Sequence, residues 1–470
     1  MCENNNKSFN EGLKNVKTEK RAGFNSKLGF VLAASGSAVG LGNLWRFPYL
    51  TAQYGGGAFI LSYVLLAIFF GIALLMLEIG IGRKTGKSVV GAFPALNKKF
   101  GWLGYVSVIV PTIIVPYYCV IGGWLIKYVI AFLVGDTGLV SSVLSSPEMT
   151  KAFFDGFVSS TFEPLLFFFI FAFATVLIVC FGVKNGIEKM SKILMPALAI
   201  LAIALMIFVL YQNNSSKGLE FIFIPKLEDL SFNTILAALG QLFYSMSIGM
   251  CIMITYGSYM KKDAKITSSS IQIAVFDSVF ALTASMIIIP AVFAFGSGEH
   301  ALGADGPALM FIQLTNVFNA IPLGRVIGVI FFVLVLFAAL TSSISLVEAI
   351  VAVICEKWKI KRVPACMIVF AIILVLGTLS SLGFGALSGI TIGGKDILSA
   401  FDFLANNILI PIVAIITCAF AGWFIEKNII TKEIGIDKNK YLSAYFNVIV
   451  KFVAPICILV ILITGLFIKL

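Results

Sequence analysis

Long apolar runs dominate the chain and are separated by short polar, mostly basic stretches. Eleven such runs are placed at 26–51, 58–82, 104–134, 165–183, 191–211, 232–257, 269–296, 324–355, 364–383, 399–423 and 446–469. Each reaches the roughly 17–25 residues that a helix needs to cross the hydrocarbon of a bilayer. The runs are continuous rather than alternating, and only closed backbone hydrogen bonding survives in lipid, so the pattern predicts helices rather than a barrel. The expected fold is an all-α integral membrane protein of about 11 transmembrane helices.

Two runs are softened near their middles by small and flexible residues. The first contains Gly36-Ser-Ala-Val-Gly-Leu-Gly-Asn43, and the sixth contains Ser245-Met-Ser-Ile-Gly249. Each opens a possible five-helix block, 26–211 and 232–423, with 446–469 as an additional helix and 1–25 as a polar N-terminal segment. Broken helices at matching positions in two halves point to a transporter site near the membrane midplane. An interrupted helix exposes carbonyls and amides that protein or a bound ion must satisfy, and its ends present dipoles to an anion or a cation. The alternative is that the glycines only let helices pack closely.

Composition agrees with the pattern. Hydrophobic residues make up 59% and charged residues 12%, against about 45–50% and about 25% in soluble chains. The net charge of +11 invites a nucleic-acid partner, but its distribution argues against one. With the N-terminus cytoplasmic, 25 of the 34 Lys and Arg fall in loops on that side, as the positive-inside rule requires. An odd number of spans then leaves the C-terminus outside. Residues 1–25 lack an apolar core, and the first run is too long for a cleaved signal, so the chain is expected to enter the cell membrane by its own helices. The eight cysteines have no CxxC spacing, and His300 is the single histidine. No metal-ligand cluster or disulfide framework is expected.

The interrupted runs also carry a resemblance. Gly36-Ser-Ala-Val-Gly-Leu-Gly-Asn-Leu-Trp-Arg-Phe-Pro48 with Gly55-Gly-Gly-Ala-Phe59 resembles the signature of the neurotransmitter:sodium symporter family, to which the bacterial leucine transporter belongs. Tyr117-Tyr118, Gly240-Gln-Leu-Phe-Tyr-Ser245, Thr255-Tyr-Gly-Ser-Tyr259 and Leu340-Thr-Ser-Ser343 extend it. The resemblance implies a 5+5 inverted repeat with helices 1 and 6 broken, and sodium-coupled import of a small molecule without enzymatic chemistry. It implies one sodium site from the Ala38 carbonyl, Asn43, Ser245 and Asp277, completed by a substrate carboxylate. A second site would use the carbonyls of Gly36, Val39 and Ala338 with the hydroxyls of Thr341 and Ser342. Oxygen ligands suit a hard cation, although Thr341 and Ser342 have back-bonding to their own helix as an alternative.

The substrate pocket implied by the resemblance comprises Ser37, Ala38, Leu41, Gly42, Ile114, Tyr118, Tyr244, Ser245, Ser247, Met250, Ser342 and Leu346. Alanine at 38, where monoamine carriers have aspartate, favours a neutral amino acid carrying its own carboxylate. The gates would be Arg46 with Asp402 on one side and Arg21 with Glu356, supported by Ser258 and Tyr259, on the other; a structural salt bridge is the alternative for each. Asp277 departs from chloride-dependent members, which carry a neutral amide there and a serine where this chain has Ala281. A fixed carboxylate at 277 implies chloride-independent transport. Burial without a cation favours the protonated form of a carboxylate, so proton counter-transport by Asp277 is a second expectation. The expected partners are therefore a neutral amino acid, two sodium ions and the lipid bilayer, in a monomer or homodimer. A channel would need a ring of filter residues, and an enzyme using Asp277, Glu348 or Asp402 would need a nucleophile or metal motif that is not visible. A non-transporting membrane amino-acid sensor of the same fold remains the alternative.

Overall fold

The computed structural model describes residues 23–135, 147–295, 309–321, 323–426 and 428–467. Among these residues the fold is helical, with a single isolated bridge between Ile392 and Lys395. His300 and Arg21 lie outside the described residues.

Among the described residues nine helices are long and apolar enough to cross a membrane, and a bent pair makes a tenth span. Span 1 is that pair, Lys27–Ala38 and Gly42–Gln53, with a bend of 53°. Span 2 is Gly57–Thr85, span 3 Lys98–Val134, span 4 Phe162–Cys180 and span 5 Val183–Leu210. Span 7 is Ile266–Ala294, span 8 Gly324–Trp358, span 9 Arg362–Leu382, span 10 Ile397–Phe424 and span 11 Lys440–Gly465. The sixth expected run is split into Phe232–Ser245 and Ile252–Ser258, each too short to count alone. The stretches between spans 3 and 4, 7 and 8, and 10 and 11 hold short helices of their own. They contain the helices Pro147–Ser159, Leu314–Ala320 and Ile429–Ile434, and a further helix, Ser215–Phe223, joins spans 5 and 6.

The two breaks have local causes. In span 1 the Ser26 hydroxyl caps the start by accepting from Gly29 N at 3.0 Å, and the helix ends where Val39 turns extended, at ψ 93°. Glycine is needed at position 40, because a Cβ there would stand 2.6 Å from the Ser342 Oγ. The chain resumes with a π-turn, Gly42–Arg46, a wider turn that often marks a functional site. In span 6 the residues after Ser245 include Ser247, Gly249 and Cys251 with φ of 54°, 77° and 66°. Left-handed backbone costs a non-glycine residue about 1–2 kcal/mol, so Ser247 and Cys251 persist only because their surroundings hold them.

Span 2 supplies part of that hold. Glu78, 3% exposed, accepts from Gly249 N at 2.7 Å. Further along, span 2 packs on the second half of span 6 backbone to backbone. A Cβ on Gly257 would stand 2.5 Å from Ile79 O, and one on Gly82 2.9 Å from Ser258 N. Spans 3 and 8 run side by side, with Tyr128 and Phe132 ring-packed on Phe332 at 5.0 and 5.5 Å.

One end of the bundle gathers charge. Arg83 donates from Nε to Glu433 at 2.8 Å and also binds the carbonyls of Glu433 and Ala264, while Lys262 donates to Arg83 O at 2.6 Å and to Glu433 at 3.2 Å. Glu188 accepts from Asn25 N at 2.7 Å, Ser26 Oγ at 3.1 Å and Lys192 at 2.7 Å. The polar connections rich in lysine and arginine meet here.

Candidate functional site

The breaks in spans 1 and 6 face each other. Ser37 and Ser247 hydroxyls are 3.2 Å apart, and Ser247 Oγ also donates to Ser37 O at 3.1 Å. Beside them lies a cavity lined by Ser37, Ala38, Gly40, Leu41, Gly42, Ile114, Tyr118, Tyr244, Ser247, Met250, Ile252, Ser342 and Leu346. Eleven of the twelve residues expected for a substrate pocket therefore share one cavity. Ser245 is the exception: its hydroxyl faces the neighbouring carboxylate of Asp277. Gly40 and Ile252 are additions. Ile252 opens the second half of span 6, two residues after Met250, and its apolar side chain beyond the break is the signal that sequence reasoning missed.

The cavity has a polar and an apolar side. Leu41 N donates to the Tyr118 hydroxyl at 3.3 Å, and the Ser342 hydroxyl reaches Gly36 O and Ser37 O at 3.3 and 3.2 Å. Ile114, Met250, Ile252 and Leu346 supply apolar walls. The geometry offers donors and carbonyls at a helix break next to a surface suited to an apolar side chain.

A second cluster is built around Asp277, which is fully buried. Its Oδ1 accepts from Asn43 Nδ2 at 2.7 Å, and its Oδ2 accepts from Ser245 at 3.1 Å and from the Tyr63 hydroxyl. Tyr63 and Ser245 hydroxyls are 2.7 Å apart. Asn43 Nδ2 also donates to the Asp277 carbonyl at 3.1 Å, while its Oδ1 accepts from Gly40 N at 3.4 Å. Gln241 donates to Gly42 O at 3.0 Å. Asn43, Ser245 and Asp277 are thus brought together from spans 1, 6 and 7, with Ala38 on the adjoining cavity wall.

At the residues expected for a second ion, Thr341 Oγ1 donates to Ala338 O at 3.0 Å and Phe337 O at 3.2 Å, within its own helix. Ser342 instead crosses to span 1. Gly36 lies against Thr341, since a Cβ on it would stand 3.2 Å from the Thr341 Cβ, and Val39 is fully buried.

The gate residues are only partly placed as expected. Arg46 and Asp402 form no ion pair. The Arg46 guanidinium lies over the Tyr244 ring, 5.2 Å from its centroid, and Asp402 accepts from Asn406 at 2.7 Å and engages Tyr117. Asn406, one turn along span 10, and Tyr117 answer Asp402, while the Tyr244 ring of span 6 takes the Arg46 guanidinium. At the opposite end Glu356 accepts from Ser88 N at 2.6 Å, while its expected partner Arg21 lies outside the described residues. Ser258 donates to Thr255 O at 2.6 Å, and Tyr259 donates to Glu348 at 2.6 Å. Arg362 binds both oxygens of that carboxylate. Neither the Glu348–Arg362 pair nor Glu78 was assigned a site role from sequence. A carboxylate inside an apolar run is a usable signal, because it must find a partner or line water.

A profile described as the Sodium:neurotransmitter symporter family matches residues 21–138 and 163–469. The chain belongs to that family. Among its relatives, the sodium-dependent transporter YhdH of Bacillus subtilis (strain 168) is 34% identical over 93% of this chain and 96% of its own length. A sodium-dependent transporter of Haemophilus influenzae is 32% identical over 96% of this chain and 99% of its own. The crystal structure of MhsT in complex with L-phenylalanine shares 37% identity and superposes with a TM-score of 0.84, covering 95% of this chain and 100% of that one. As a member of the sodium:neurotransmitter symporter family, the protein is a multi-pass, sodium-dependent membrane transporter and not an enzyme.

Proposed function

We propose that this symporter imports a neutral, hydrophobic or aromatic L-amino acid by alternating access. The observation that carries the reading is the cavity between the two helix breaks, polar at Leu41 N and Tyr118 and apolar at Ile114, Met250, Ile252 and Leu346. The substrate carboxylate binds at the Leu41 and Gly42 amides and Tyr118, and the side chain enters the apolar wall. The resemblance to MhsT, solved with L-phenylalanine, supports an aromatic guest. The cavity measures about 30 Å³, so such a guest requires neighbouring side chains to move. Met250, unbranched and with three rotatable bonds, is suited to do so.

One sodium ion sits at the Ala38 carbonyl, Asn43, Ser245 and Asp277 and is completed by the substrate carboxylate, which couples the two. A second sits at the carbonyls of Gly36, Val39 and Ala338 with the Thr341 and Ser342 hydroxyls. Asp277 supplies the negative charge that makes transport independent of chloride, and it carries a proton outward on the empty return step. Residues 26–211 and 232–423 act as inverted halves, with the basic end of the bundle cytoplasmic and the C-terminus outside. Two sodium ions with a zwitterion carry two charges inward and the returning proton carries one back out, so each cycle moves one net charge inward. At about 100 mV this contributes about 2.3 kcal/mol, on the order of fiftyfold accumulation before the ion gradients are counted.

The test is uptake of labelled phenylalanine and leucine by liposomes containing the purified protein. Accumulation above the external concentration is expected with an inward sodium gradient and not with potassium. Sodium-dependent binding without accumulation would instead make the protein an amino-acid sensor.

A further inference from the structure

Away from the ends of the expected spans, three basic side chains lie within them: Arg46, Lys127 and Lys451. Two are answered by the protein. Arg46 lies over the Tyr244 ring, and Lys127 pairs with Glu163 at 3.0 Å. Lys451 makes no ion pair among the described residues, although a cation in an apolar span is costly and is normally paired or drawn to the membrane interface.

The surroundings of Lys451 are built for its side chain. Spans 10 and 11 each take a π-turn there, Phe420–Phe424 and Ile449–Val453. A π-turn shifts the hydrogen-bond ladder of its helix, and the Lys451 carbonyl accepts from Trp423 Nε1 at 3.3 Å. Trp423 packs edge-on against Phe452 at 5.5 Å. The lysine stem crosses Gly422, where a Cβ would stand 2.8 Å from the Lys451 Cγ. It enters a cavity of about 140 Å³ between spans 2, 10 and 11 and the helix Ile429–Ile434. Glu426, Asn428 and Asn447 are polar members of the same lining. Trp423 and Phe452 are 60% and 48% exposed, as aromatic side chains are at a lipid–water boundary.

We propose that this cavity binds the headgroup of an amine-bearing phospholipid of the phosphatidylethanolamine type, with its phosphate on Lys451 and its ammonium at Glu426. Basic pockets between membrane helices recognise lipid phosphates. Here one cation and one acid share the lining with two amides, which matches a phosphate joined to a primary amine. A purely anionic headgroup would meet Glu426 unfavourably, and a quaternary amine would offer it no hydrogen-bond donor. The exposed flank of Phe452 and Ile456 gives the acyl chains an apolar path.

The test is native mass spectrometry of the purified full chain with equal amounts of phosphatidylethanolamine, phosphatidylglycerol and phosphatidylcholine of identical acyl chains. Wild type should retain the ethanolamine lipid most strongly. Lys451→Gln should lower its retention about fivefold, the contribution of one lysine at a membrane surface, while Lys451→Arg should preserve it. Glu426→Gln should lower ethanolamine-lipid retention without lowering that of the glycerol lipid. Melting midpoints identify any variant that fails to fold, and Lys451→Arg serves as the folded control. Equal retention by wild type and Lys451→Gln, phosphatidylcholine or phosphatidylglycerol binding as well as the ethanolamine lipid, or displacement by inorganic phosphate would each overturn the proposal.

Discussion

Replacing Asp277 by asparagine separates charge from shape at the proposed first sodium site. The amide can keep much of the hydrogen bonding: its oxygen can face Asn43 Nδ2, now at 2.7 Å from Oδ1, and its nitrogen can face the rotatable hydroxyls of Tyr63 and Ser245. The full negative charge is lost. With Asp277 among the residues that hold the ion, a separation of about 5 Å sets the smallest effect its charge would have. At an effective dielectric of about 20, unit charges at that distance attract by about 3 kcal/mol, or roughly a hundredfold in sodium affinity. The assay is labelled phenylalanine uptake into liposomes across a sodium titration, in chloride and in gluconate. Wild type should behave alike in both media. Asp277→Asn and Asp277→Ser should need about a hundredfold more sodium in gluconate, with part of the loss recovered in chloride. Wild-type transport that collapses in gluconate, or an asparagine variant with unchanged sodium affinity there, would refute the reasoning.

Other expectations follow from single contacts. Tyr118→Phe removes the hydroxyl proposed to donate to the substrate carboxylate; a hydrogen bond to a charged group contributes about 1.5–3 kcal/mol, so substrate KM should rise about tenfold or more. Thr341→Val removes a hydroxyl from the proposed second ion site, and the sodium Hill coefficient of uptake should fall toward one. Burial raises the carboxyl of Glu433, but the hydrogen bonds and charges of Arg83 and Lys262 outweigh it and hold it below its ordinary value of 4.5. Its contribution to stability is therefore fully present above about pH 4.5 and lost as pH falls through the lower folded value. Thermal melts across acid pH should show a shallower acid loss for Glu433→Gln than for wild type. An identical slope would mean that this cluster does not report on folding.

The helix count and both breaks were legible because they rest on local properties: run length, glycine and small polar residues, and the cost of unpaired backbone in lipid. The cavity wall was legible for the same reason, since residues next to a break have few other places to point. Partner choice was less so. Arg46 and Asp402 carry opposite charges near the break, yet each is satisfied closer at hand, by the Tyr244 face and by Asn406. Such competition is decided by rotamers and distances that no sequence pattern states. Glu78 shows the converse. Its partner, Gly249 N, is 171 residues away, and a carboxylate within an apolar run announces only that some partner exists. The π-turns at 42–46, 420–424 and 449–453 were hidden because one extra residue per turn hardly alters apolar periodicity.

The glycine contacts between span 2 and the second half of span 6 carry a mechanical consequence. With Gly82 against Ser258 N and Gly257 against Ile79 O, almost no side-chain cushion separates the two backbones. Sliding one past the other would drive atoms into contact, so torque applied to Ile252–Ser258 is handed directly to span 2. The compliant element is then the left-handed stretch 246–251, tethered by Glu78. The two halves of span 6 thus belong to different rigid levers, joined at a stretch whose Ser247 and Met250 line the cavity.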